Sequence, residues 1–131
     1  MALSVQVHSQ RQVTVLACKG IIVFGEESES LRALVKEQLR QHNSGIQGPS
    51  LVLDLSLVQY VDSGGLGALV GLLTSVRAAG GNLKLATLNE RVSRVFKTTH
   101  LHKVFEIYAT TAEAVNSFRA GSAAPGAAVQ P

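Results

Sequence analysis

The chain has 131 residues and a mass of 13.8 kDa, enough for one domain with a single hydrophobic core. Hydrophobic residues make up 46% and charged residues 16%, a balance that excludes a disordered chain. A single cysteine excludes an internal disulfide, and with four scattered histidines it predicts no metal site. The net charge of +3 comes from dispersed basic residues without a nucleic-acid motif, so we expect no direct nucleic-acid binding.

The first residues of the chain bear on its location. Residues 1–10 alternate apolar and polar side chains and lack the basic start and continuous apolar stretch of a secretory signal. No apolar run elsewhere is long enough to cross a bilayer. We therefore expect a cytoplasmic protein without membrane insertion.

The first half of the chain predicts a hairpin, a helix and a buried strand. Apolar residues alternate with polar ones over Leu3–Val7, and a second run extends over Val13–Phe24, which predicts two paired strands. Apolar residues then recur at helical spacing over Ser28–His42, behind an acidic first turn. After a Gly and Pro break, the short apolar run Leu51–Leu55 is typical of a strand buried on both faces.

The second half alternates helices with strands. A helix follows Ser63 and ends at two glycines, and a strand over Asn82–Thr87 precedes a short helix. The last strand is predicted over Val104–Tyr108, and Thr110 with Glu113 forms a capping box for a final helix. The order β-β-α-β-α-β-α-β-α predicts an α/β fold with a mixed sheet and about four flanking helices.

Two segments follow from this pattern. Residues 1–119 form the predicted domain. Residues 120–131 consist mainly of Gly, Ala, Ser and Pro without a periodic apolar face, so we expect a flexible tail.

The turn Val61–Gly67 carries the most functional information. Ser63 lies where a strand passes into a helix, and Gly64, Gly65 and Gly67 leave room for a phosphate or another protein to approach. A serine at this position either caps the helix or presents its hydroxyl beside the positive end of the helix dipole. Both interpretations fit the local sequence, and the cap is the more common of the two.

Enzymatic interpretations of these residues find little support. Gly65–Gly71 resembles a nucleotide-binding loop but lacks the Lys-Ser/Thr pair that should follow it. The turn also resembles the nucleophile region of trypsin-like proteases, for which this chain is too short, and a triad would need His100 or His102. Asp54 and Asp62 are conceivable paired carboxylates, but nothing else marks a substrate pocket. We expect no catalytic residue and no cofactor.

The helix after Ser63 presents a face of small residues outside its core stripe. These are Gly67, Gly71, Thr74 and Ala78, at spacings of four, three and four. Small residues often simply face solvent, but each glycine inside a helix costs about 1 kcal/mol relative to alanine. Close approach of a partner protein offsets that cost, so we interpret the face as a docking surface.

The chain resembles the STAS domains, and within them the bacterial anti-sigma factor antagonists. The resemblance covers Val5 to Phe118 and rests on element order, on Leu53-Asp54-Leu55-Ser56 and above all on Val61-Asp62-Ser63-Gly64-Gly65-Leu66-Gly67. The last stretch is similar to the family signature Asp-Ser-Ser/Thr-Gly-Leu-Gly. The second hydroxyl residue of that signature is Gly64 here, which leaves Ser63 as the acceptor.

The resemblance implies a partner switch without enzymatic activity of its own. Ser63 matches the serine that an anti-sigma factor, itself a serine kinase, phosphorylates with ATP, and a serine phosphatase reverses the reaction. The unphosphorylated protein binds the kinase and so releases a sigma factor. An alternative is a constitutive STAS subunit of a lipid-transport or larger signalling assembly, and a third is a small-molecule or nucleotide sensor. The partner-binding residues implied are Asp62, Ser63, Gly64, Gly65, Gly67, Gly71, Thr74 and Ala78.

Overall fold

The computed structural model describes residues 3–41 and 48–121, the last three by their backbone alone. Within these residues the predicted element order is confirmed. The end of the first helix at His42 and residues 122–131 of the predicted tail lie outside the described part. The elements are β1 (Leu3–Gln10), β2 (Val13–Ile22), α1 (Glu26–Gln41), β3 (Ser50–Val61), α2 (Ser63–Ala78), β4 (Asn82–Ala86), α3 (Glu90–Thr98), β5 (Ile107–Tyr108) and α4 (Thr111–Gly121).

The five strands form one mixed sheet in the order β1-β2-β3-β4-β5. β1 runs antiparallel to β2, and the three other pairs are parallel. Arg11 and Gln12 join the first two strands with φ values of 54° and 69°. Positive φ at both central residues is what a two-residue type I′ turn requires, and its twist matches that of the strands. The predicted hairpin and the predicted mixed sheet are both confirmed.

Helices cover both faces of the sheet and enclose two apolar cores. The larger core lies under α1, α2 and α3, and includes the fully buried Leu31, Leu69 and Phe96. The smaller core lies under α4 on the opposite face, where Val115 packs near Val15 and Val52. The result is a three-layer arrangement in which α2 is held firmly against the centre of the sheet.

β3 is much longer than the predicted strand over residues 51–55. Its register with β2 shifts twice, between Ala17 and Lys19 and between Gly20 and Ile21. Each shift inserts an extra β3 residue, so burial in this part of β3 recurs every third residue, at Leu55, Val58 and Val61. Period-two alternation fails there, and the prediction therefore ended too early.

β5 is shorter than the strand predicted over Val104–Tyr108. Residues 101–103 form a 3-10 turn after His100, whose φ is 63°, so the chain is still turning at Val104. Phe105 instead enters the larger core, edge-on against Phe96 with ring centroids 5.7 Å apart. Two residues, Ile107 and Tyr108, remain to pair with β4.

The final helix has the predicted cap and a later end than predicted. The Glu113 N–H donates to the Thr110 hydroxyl oxygen over 3.1 Å, which is the serine/threonine half of a capping box. α4 continues to Gly121, two residues beyond the predicted domain end at residue 119.

Candidate functional site

Asp62 joins the end of β3, the start of α2 and the end of β2. Its backbone is extended, with φ −94° and ψ −178°, and its Oδ1 accepts a hydrogen bond from the Gly65 N–H over 2.7 Å. The same oxygen accepts from the Phe24 N–H over 3.1 Å, across 38 positions of sequence. Asp62 is therefore the N-cap of α2 and also fixes the chain segment after β2 beside it.

Ser63 is the first residue of α2 and is exposed. The prediction that this serine is more often a helix cap is wrong here, because Asp62 already occupies the N-cap position and satisfies the Gly65 amide. Among the described residues, we find no hydrogen bond that engages the Ser63 hydroxyl. Ser63 is thus exposed to solvent at the positive end of the helix dipole.

Gly64 and Gly65 allow α2 to start directly against the end of β2. A Cβ atom at Gly64 would overlap the Cβ of Phe24, and one at Gly65 would overlap the carbonyl oxygen of Ile22. This close approach gives a physical reason for glycine at position 64, where the family signature has a second hydroxyl residue. Any side chain there would displace the Phe24 segment or the helix start.

The small-residue face of α2 is exposed as predicted. A Cβ atom added at Gly67 or Gly71 would meet nothing within 4 Å, so packing inside this chain does not explain either glycine. The Thr74 hydroxyl donates to the Val70 carbonyl oxygen over 3.0 Å and is satisfied within the helix. Successive residues of an α-helix are separated by about 100° around the helix axis, so Ser63 lies within about 80° of every other member of this face. This continuous surface, termed the α2 face below, consists of Ser63, Gly67, Gly71, Thr74 and Ala78.

Three exposed apolar side chains near this end of the sheet were not predicted as site residues. Phe24 is 81% exposed and lies beside Gly64, while Leu57 and Tyr60 on β3 are 60% and 40% exposed. Arg91 of α3 lies over the Tyr60 ring, 5.3 Å from its centroid. The sequence placed Phe24 inside a strand, and the period-three burial of β3 concealed the other two residues.

The two carboxylates considered for catalysis accept hydrogen bonds within the fold. Asp54 accepts a hydrogen bond from the Ser56 N–H over 3.0 Å, and the Asp62 carboxylate serves the two amides described above. Burial, and next the charge of Asp54, raise the pKa of the Cys18 thiol to about 12, so it remains protonated. Residues 3–41 and 48–121 contain no group of three or more His, Cys, Asp or Glu placed to hold a metal ion.

Comparison with known proteins places the chain in a family. The sequence profile of the STAS domain matches residues 4–114. The chain belongs to the STAS domain family. The anti-sigma-B factor antagonist of Bacillus subtilis is 44% identical over 63 residues, which cover 48% of this chain and 58% of that protein. Alignments to the first curated relatives span 58 to 61% of their length.

Solved structures share the STAS fold of this chain. A Thermotoga maritima protein provisionally named an anti-sigma factor antagonist has a TM-score of 0.75 at 27% identity, over 88% of this chain and 94% of that one. The anti-sigma factor antagonist SpoIIAA has been solved in an unphosphorylated form, with a TM-score of 0.71 over 89% of this chain and 97% of that one. Its phosphorylated form has a TM-score of 0.62 over 86% and 97%. At 22% and 21% identity, these two matches show the fold alone.

No helix in the described part of this STAS chain has both the length and the apolar character needed to span a membrane.

Proposed function

We propose that this STAS protein is an anti-sigma factor antagonist whose binding is controlled by phosphorylation of Ser63. In its unphosphorylated form it binds an anti-sigma factor that is also a serine kinase, and a sigma factor is released. The observation that carries the proposal is the exposed Ser63 hydroxyl at the start of α2, with Asp62 rather than Ser63 serving as the cap. The names of the relatives support the partner class.

The α2 face is the proposed docking surface for the kinase. It extends from Ser63 to Ala78, about 22 Å along the helix at 1.5 Å per residue. Gly67 and Gly71 let the partner's backbone come close, and the exposed Phe24 supplies an apolar contact beside the acceptor serine. Asp62, Gly64 and Gly65 hold the serine in place.

Phosphorylation acts as a charge switch at one end of this surface. The kinase transfers the γ-phosphoryl group of ATP to the Ser63 oxygen, with release of ADP and the hydroxyl proton. The product carries nearly two added negative charges beside the Asp62 carboxylate. The helix N-terminus stabilises the phosphate, so the fold persists, while charge repulsion and desolvation oppose docking. A loss of about 3 kcal/mol weakens binding more than a hundredfold. A serine phosphatase hydrolyses the phosphate ester with water, which restores the hydroxyl and releases inorganic phosphate.

Binding titrations with serine variants test the switch. Ser63→Ala should bind the purified anti-sigma factor kinase of the same organism as the unmodified protein does, while Ser63→Asp should lose binding by about a hundredfold. Ser30→Asp is the matched control, because Ser30 is also an exposed serine near a helix start but lies on α1. Equal affinities for the two Ser63 variants contradict the proposal. A stable, Ser63-independent complex with a transporter subunit favours the constitutive alternative.

A further inference from the structure

β1 forms a long outer edge of the sheet that lacks the usual protection. Among the described residues, β1 pairs only with β2. Each residue of β1 lies opposite one residue of β2, and no bulge interrupts the register. Its sequence from Leu3 to Gln10 contains no charged residue and no proline. Natural proteins usually protect such edges with lysine, proline or bulges, because an open strand readily pairs with another strand. The opposite edge, β5, has only two residues.

The hairpin turn determines which backbone groups of β1 face outward. The type I′ turn makes Gln10 and Val13 a hydrogen-bonded pair, and such pairs alternate with non-hydrogen-bonded pairs along an antiparallel ladder. Residues of the non-hydrogen-bonded pairs direct their N–H and C=O groups away from β2. The outward-facing residues are therefore Leu3, Val5, Val7 and Ser9.

Two of the outward-facing residues, Leu3 and Val5, line an apolar groove on the helix side of the sheet. The groove has a volume of about 440 Å³ and lies between β1 and α1. Its one ionisable lining residue, Glu37, is held by Arg40 at 2.7 Å. Val7 follows Val5 on the same face of β1 and is 40% exposed. The groove is lined by Leu3, Val5, Ser30, Ala33, Leu34 and Glu37.

We propose that β1 pairs antiparallel with β1 of a second copy of this chain, with the two-fold axis passing through Gln6. In this register Val5 lies opposite Val7 of the second copy, and Leu3 lies opposite Ser9 of the second copy. All four outward-facing residues then belong to hydrogen-bonded pairs, so every outward N–H and C=O from Leu3 to Ser9 gains a partner. Each valine pair joins Val5 of one copy, which lines that copy's groove, to the exposed Val7 of the other, so the pairs cover apolar surface.

The charge pattern of the strand favours a second copy over another occupant. A two-fold antiparallel pair places like residues near each other, so a charged edge repels its own copy. β1 has no charge, and its other side chains match across the axis, with Ser4 opposite His8 and Gln6 opposite Gln6 of the second copy. The product is one continuous ten-stranded sheet made from two five-stranded sheets. Both α2 faces remain open, because β1 lies two strands away from β3.

Sedimentation velocity over a range of concentrations tests the dimer. The unmodified protein should approach twice the 13.8 kDa mass of one chain as concentration rises. Gln6→Lys and Gln6→Glu each place like charges directly opposite one another and should weaken self-association by about twofold to fivefold. An equimolar mixture of the two variants pairs opposite charges and should recover association. Gln10→Lys, on the same side of the same strand but far from the axis, should associate as the unmodified protein does.

Three results overturn the proposal. One is a single-chain mass at every concentration, which leaves the edge free for an extended segment of another protein. Another is a dimer that neither Gln6 variant weakens. The third result is measured by hydrogen exchange. The proposal predicts that the Val5 and Val7 amides become protected as the dimer forms. Fast exchange of both amides in the dimer excludes this edge as the interface. Gln6 is exposed, so these variants leave the monomer fold intact.

Discussion

Two classes of glycine in α2 should respond oppositely to alanine substitution. Gly67 and Gly71 lie inside the helix with open space where a Cβ would be, so alanine restricts the unfolded chain without creating a clash. Each substitution should stabilise the free protein by about 1 kcal/mol. If the α2 face is the docking surface, the same methyl groups hold the partner's backbone away and weaken binding.

The size of the effect follows from the helix positions. Gly67→Ala with Gly71→Ala should add about 2 kcal/mol to the free energy of unfolding, at about 1 kcal/mol for each glycine replaced. For a chain of this length, about 3 to 5 °C of melting temperature corresponds to each kcal/mol. The double variant should therefore melt about 6 to 10 °C higher than the unmodified protein.

Urea denaturation and a binding titration on the same variants form the assay. Gly65→Ala is the contrasting control, because its Cβ would overlap the Ile22 carbonyl oxygen and should cost about 1 to 3 kcal/mol. A lower stability for Gly71→Ala refutes the assignment of open space. A stability gain with unchanged kinase affinity refutes the use of the α2 face for docking.

Three further predictions concern the cap, the buried lysine and the thiol. Asp62→Ala should destabilise the protein by about 1 to 2 kcal/mol in urea denaturation while Asp62→Asn, a comparable cap, should not; equal losses exclude capping as the cause. The Lys84 ammonium group lies 3.2 Å from the Glu106 carboxylate and 2.8 Å from the Ser117 hydroxyl. Lys84→Met should lower the free energy of unfolding by about 1.5 to 3 kcal/mol, and adding Glu106→Gln should recover part of that loss. Additive losses in the double variant contradict the pairing. Native Cys18 should resist iodoacetamide at pH 8, and labelling at the rate of the unfolded protein contradicts its burial.

Local periodicity predicts most of this fold. The hairpin, α1, α2 and β4 each follow a pattern that a few consecutive residues set, and the alternation of strands with helices determines the mixed sheet. Periodicity does not predict the full length of β3, because two register shifts interrupt its pairing with β2. The exposed Leu57 and Tyr60 therefore do not follow an alternation of period two. Periodicity also does not predict where β5 begins, because a turn after His100 places Phe105 in the core rather than in the strand.

The candidate site depends more on long-range contacts. The exposure of the α2 face was predictable, since helical spacing alone separates Gly67 and Gly71 from the core stripe. The choice of cap was not, because Asp62 and Ser63 are both favoured N-cap residues and differ by one position. The contact of Asp62 with Phe24 joins residues 38 positions apart and leaves no local signal in the sequence.

Phosphosite mapping of Ser63 in protein recovered from its native cells, with identification of the co-purifying proteins, tests the central claim most directly. The samples should be taken before and after stress. The proposed switch predicts a phosphate on Ser63 whose occupancy changes with conditions, and an anti-sigma factor with a serine kinase domain that co-purifies when the phosphate is absent. Unmodified Ser63 under every condition, together with a constant transporter or scaffold partner, contradicts it.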